Sequence, residues 1–73
     1  MAKHELDCKS LNCPMPIVKI AKAFKTMEIG DTLDVVATDP AFIADVEAWS
    51  RRTGHPILNV VDEEIKKITL QKS

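Results

Sequence analysis

The feature that most constrains this chain is Cys13-Pro14-Met15-Pro16 at the head of the run Ile17-Val18-Lys19-Ile20-Ala21-Lys22-Ala23-Phe24-Lys25. Proline has no N–H and a φ held near the helical value, so it suits the first position of a helix, where an N–H would lack an intrahelical partner. Pro14 is expected there, with Cys13 as the N-cap. Ile17, Ile20, Ala21, Phe24 and Met27 then fall on one stripe of a 3.6-residue period, which predicts a helix from about Pro14 to Met27. A thiol at the positive pole of a helix has its pKa lowered from about 8.5 toward about 3.5–7.5. Cys13 is therefore the candidate nucleophile.

Composition sets limits on what such a helix can serve. With 73 residues, 45% of them hydrophobic, the chain is expected to form one domain (1–73) that buries only about 60% of the surface of its unfolded form, which leaves little room for a deep pocket. The net charge is −1 and both signs are interspersed, so neither direct nucleic-acid binding nor a membrane-surface helix is indicated. Met1-Ala2-Lys3-His4-Glu5 has no apolar signal region, and no run approaches the roughly 20 residues of a membrane span. A cytoplasmic location is the expectation, and two cysteines in a reducing compartment point to thiol chemistry or metal binding in place of a disulfide framework.

Along the chain, His4, Leu6 and Cys8 alternate with Glu5 and Asp7, which predicts a strand over Lys3 to Cys8 with Cys8 facing inward. Met15, Lys19, Lys22 and Thr26 lie opposite the apolar helical stripe and are expected in solvent. Glu28-Ile29-Gly30-Asp31 ends the helix. Thr32 to Thr38 reads as a second strand with Leu33, Val35 and Ala37 on one face. Asp39-Pro40 signals a second helix, Asp39 as cap and Pro40 as opener, with Phe42, Val46 and Trp49 inward and Gly54 closing it. Pro56 to Val61 and Ile65 to Gln71 are the remaining strands, the last with Ile68 and Leu70 inward. The order βαβαββ, with its right-handed crossover, predicts an α/β fold: a two-layer sandwich of a mixed four-stranded sheet with two helices on one face. The first strand would deliver Cys13 at its C-terminal end, where open α/β sheets place binding groups.

Leu6-Asp7-x-x-x-Leu11-x-Cys13-Pro14-x-Pro16, the basic amphipathic helix, and Thr38-Asp39-Pro40 before a second helix together resemble the TusA (SirA-like) sulfur-carrier family over almost the whole chain. The resemblance implies a βαβαββ fold and a cysteine, Cys13, that carries sulfane sulfur as a persulfide. It also implies a donor of the cysteine desulfurase or rhodanese type and an acceptor protein, DsrE/TusD-like or similar. Family members serve tRNA thiolation, molybdenum-cofactor synthesis and sulfur oxidation, and these residues do not choose among them. One departure stands out: the loop before the motif commonly carries a glycine, and Lys9-Ser10 stands here.

The chemical readings compete with plainer ones. Cys8 is expected to be a packed core thiol, with a secondary role as partner of Cys13 in a thiol-redox pair as the alternative. A non-catalytic interaction or regulatory domain is the other alternative to a sulfurtransferase-type carrier. The C-x4-C spacing with His4 and His55 at opposite ends disfavours a metal site, and no cofactor is implied. Pro14 and Pro16 would stiffen the loop-to-helix junction that presents the sulfur. Met15, Lys19 and Lys22 are candidates for partner docking, and a monomer is expected outside such complexes.

Overall fold

The computed structural model describes residues 2–11 and 15–73. Its elements are β1 (Lys3–Cys8), α1 (Met15–Thr26), β2 (Thr32–Ala37), α2 (Phe42–Thr53), β3 (Ile57–Val61) and β4 (Lys66–Gln71). They form a four-stranded sheet of order β1-β2-β4-β3. β1 runs parallel to β2 with Cys8 opposite Ala37, and β4 is antiparallel to both β2 and β3.

Period-2 alternation sorts the strands' side chains as their sequences predict. Leu33, Val35 and Ala37 of β2 stand beside Ile68 and Leu70 of β4 on one buried face, and full burial of each large aliphatic side chain among them contributes about 1.5–3 kcal/mol. Both helices lie on this face. α1 buries Pro16, Ile20 and Phe24, and α2 buries Phe42, Val46 and Trp49; with Cys8 and Met27 they make one core. The opposite face is uncovered. There Asp34 accepts a hydrogen bond from Thr69 Oγ1 at 2.7 Å and faces Lys67 Nζ at 3.8 Å.

Two local features depart from the sequence reading. Pro16 is buried in the first turn of α1, so it is withdrawn from solvent as well as being a conformational restraint. The second helix opens at Phe42, not at Pro40: Asp39 Oδ1 accepts from the Ala41 N–H at 3.1 Å and the Asp39 carbonyl accepts from the Phe42 N–H. That Asx-type turn holds Pro40 and Ala41 outside the helix, whose N-cap, Ala41, makes no side-chain cap. Gly54 does end α2, at φ 83° with its N–H on the Ser50 carbonyl, the left-handed conformation that favours glycine at a helix end.

Asp31 ties the N-terminal end of the sheet to the end of α1. The residue is 5% exposed, and its carboxylate accepts from the Ala2 N–H (2.8 Å) and the Glu28 N–H (3.0 Å) and meets His4 Nε2 at 3.1 Å. The backbone donors of Ala2 and Glu28, then His4, hold this carboxyl down to a pKa of about 2. Nearby, Lys72 Nζ donates to the carbonyls of Phe24 and Met27, both at 2.6 Å, placing a cation on the negative pole of α1. His55 sits edge-on to Phe24 and stacks on Trp49, with centroids at 4.7 and 5.4 Å, and burial followed by the charge of Lys72 lowers its pKa.

Lys9 and Ser10 form the turn after β1, closed by the Leu11 N–H on the Cys8 carbonyl at 3.2 Å. Ser10 has φ 70°. The loop therefore keeps a backbone conformation suited to glycine although a serine occupies it, at a cost of about 1–2 kcal/mol for an L side chain. Ser10→Gly is expected to stabilise the fold by about 0.5–1 kcal/mol, the steric relief exceeding the extra entropy of an unfolded glycine; urea denaturation with an unchanged m-value is the check.

Candidate functional site

Because β1 and β2 are parallel and in register at Cys8 and Ala37, the β1–α1 and β2–α2 connections leave the same end of the sheet. They are joined there: the Ser10 N–H donates to Thr38 Oγ1 at 3.3 Å. Leu11 is half-buried and packs against the core, as does Ile17 in the first turns of α1. The candidate segment thus runs between two anchored points, Leu11 and the buried Pro16. Cys13, its proposed role at the N-cap, and Pro14 lie outside the described residues.

Cys8 ends β1 with 0% exposure. Burial first, then the negative charge of Asp7, raise its thiol pKa, while Lys19 pulls the other way. A thiol of that kind is a poor nucleophile.

The outer surface of α1 is mixed apolar and basic. Met15 is 43% and Val18 38% exposed, and Lys19, Lys22 and Lys25 are exposed beside them. The sequence reading names Met15 on this face but not Val18. Its spacing of three from Met15 carries the signal, since residues at i and i+3 are neighbours on a helix surface.

On the open side of the sheet a cleft of about 220 Å³ is lined by Glu5, Leu6, Asp7, Asp34, Val36 and Lys67. No cysteine, serine or threonine lines it, and Asp34 is already engaged by Thr69 and Lys67. Among the described residues, no group of three or more His, Cys, Asp or Glu is arranged to hold a metal ion, and no helix is long and apolar enough to cross a membrane.

Comparison with known proteins bears on this geometry. A family profile described as sulfurtransferase TusA matches residues 4–72. The chain is 47% identical over 68 residues to the putative sulfur carrier protein YrkI of Bacillus subtilis, covering 92% of this chain and 91% of that protein. It is equally identical to the putative sulfur carrier protein YrkF of the same organism, of whose length it spans only 37%. It is 39% identical over 60 residues to the sulfur carrier protein TusA of Allochromatium vinosum, covering 82% and 79% of the two chains. The crystal structure of a SirA-like protein from Desulfitobacterium hafniense superposes with a TM-score of 0.80 over 93% of this chain and 95% of the other, at 17% identity, which shows a shared fold. With its βαβαββ sandwich, its matching profile and these relatives, the chain belongs to the TusA family of sulfur carriers.

Proposed function

We propose that this protein accepts sulfane sulfur as a persulfide on Cys13 and passes it to an acceptor protein. The observation that carries the reading is a family match spanning residues 4–72 on a chain whose second cysteine, Cys8, has no exposed surface. In the loading step the Cys13 thiolate attacks the terminal sulfur of a donor persulfide of the desulfurase or rhodanese type. One S–S bond forms at Cys13, the donor's S–S bond breaks, and the donor leaves as a thiolate. Unloading is the same exchange in reverse roles, with an acceptor thiolate attacking and Cys13 leaving, so there is no net oxidation or reduction. Cys13 precedes Met15, where α1 is already helical, by two residues. On the reading of Cys13 as the N-cap, the positive helix end favours the thiolate in both steps. Intact mass after incubation with a sulfane-sulfur donor tests the proposal: a gain of one sulfur atom that reductant removes is expected, and no gain, with Cys13 free and the protein folded, overturns it.

The docking face proposed for protein partners is Met15, Val18, Lys19 and Lys22. Methionine and valine supply adaptable apolar contact, and the lysines steer an acidic rim, which speeds encounter more than it adds affinity. Lys19→Glu with Lys22→Glu is expected to slow protein-to-protein sulfur transfer on the order of tenfold at low salt. Loading from a small-molecule donor should stay unchanged in the same variant. Stopped-flow transfer rates across an ionic-strength series make the check, and a salt-insensitive rate equal to wild type would move docking elsewhere.

A further inference from the structure

The two edges of the sheet are unlike. β1, at one edge, carries Lys3, His4, Glu5 and Asp7, charges of the kind that discourage edge-to-edge pairing. β3, at the other, is Ile57-Leu58-Asn59-Val60-Val61, with no charge. Leu58 is 53% and Val60 41% exposed, although Val60 stands opposite the buried Ile68 and so lies on the core side of the sheet. α2 contacts β3 but leaves these two side chains exposed.

We propose that β3 pairs antiparallel with β3 of a second copy of this chain, joining the two sheets across a two-fold axis at Asn59. An isologous contact needs a self-complementary strand. About that axis Leu58 of each copy comes level with Val60 of the other, which brings four exposed apolar side chains to the seam. The flanking charges are also complementary. Arg51 and Arg52 end α2 just before β3, Glu63 and Glu64 follow it, and all four are exposed. Among the described residues none of the four forms an ion pair. Antiparallel pairing lays the start of β3 in one copy beside the end of β3 in the other, which brings the arginines of each to the glutamates of its partner at both ends of the interface.

Five residues make a short interface, and the register shift between Ile57 and Asn59 narrows it further, so the association belongs to the weak class that fills with concentration. It would leave sulfur traffic unobstructed, because β1, which leads into the segment holding Cys13, is the opposite edge. This proposal departs from the monomer expected from the sequence, and it stands independently of the persulfide chemistry.

Sedimentation equilibrium of the full chain over a concentration series tests it. The weight-average mass is expected to rise from 8.1 kDa toward twice that value, with β3 amides gaining protection from hydrogen exchange over the same range. Val60→Lys should abolish the rise. Arg51→Glu with Arg52→Glu, and separately Glu63→Lys with Glu64→Lys, should each leave only monomer, while an equimolar mixture of these two variants should associate again. Monomer at every concentration overturns the proposal, as does a dimer that survives both charge reversals or leaves β3 amides unprotected.

Discussion

Cys13→Ser is expected to lose all reductant-labile sulfur loading, while Cys8→Ala loads at the wild-type rate. The rival mechanism, a relay or redox pair using both thiols, makes the opposite demand on Cys8. A pair would require Cys8 to attack or be attacked, yet its sulfur is enclosed at the end of β1 and its thiol pKa is raised by burial; reaching it would mean opening the β1–β2 pairing. Alanine is the better probe there, since serine would place a hydroxyl in an apolar site and add the penalty of an unsatisfied donor, about 1–3 kcal/mol. Removing the sulfur costs on the order of 1 kcal/mol, comparable to one buried methylene, and should not unfold the chain. Intact mass and circular dichroism on both variants decide the matter. Lost loading in a folded Cys8→Ala protein, or an intramolecular disulfide in the oxidised wild type, would sink the single-thiol mechanism.

The second large effect is expected at Asp31. Asp31→Ala removes the acceptor for two backbone N–H groups and the partner of His4 at once, and the Ala2 and Glu28 donors are left without it. The thermal midpoint should fall by at least about 4–8 °C at neutral pH, the shift that a single lost interaction gives in a domain this small. The sign with pH follows from the depressed pKa. A carboxyl ordinarily near 3.8 and held at about 2 in the folded protein contributes stability that is fully present above pH 4. That contribution drains away as pH falls from 4 toward 2, because the unfolded chain takes up the proton first. The difference between wild type and Asp31→Asn should therefore be largest above pH 4 and shrink toward pH 2. Parallel thermal-melt profiles of the two proteins would refute this role for Asp31.

Much of the fold could be read in advance because it rests on short periodicities. The alternation of Leu6 and Cys8, of Leu33, Val35 and Ala37, and of Ile68 and Leu70 names the core face of three strands, and Phe42, Val46 and Trp49 name that of α2. Contacts without a periodic signal could not be read. Asp31 looks like one polar residue of a turn, and only the meeting of residues 2, 4 and 28 around it reveals its work. His55 joins Phe24 and Trp49 across 31 and 6 positions of sequence, and Lys72 reaches α1 from the far end of the chain. Asp39-Pro40 carries a true turn signal, but the same Asp-Pro pattern can open a helix at once or two residues later, and here the Asx turn takes the later option. At the site, the exposed face of α1 follows from its helical spacing, whereas Cys13 rests on its motif and its family.

The strand order also governs how the chain can be made. β2 pairs on one side with β1, which precedes it, and on the other with β4, which comes after everything else. At about 5–20 residues per second, the ribosome needs about 1.5–6 s to pass from Ala37 to Lys66. Throughout that interval Leu33 and Val35 have a strand on one flank only, and α1 lacks the Lys72 ammonium at its C-terminal end. Vectorial synthesis therefore leaves β2 without its second neighbour until β4 has been made, and the core face cannot close before Gln71 has joined the chain.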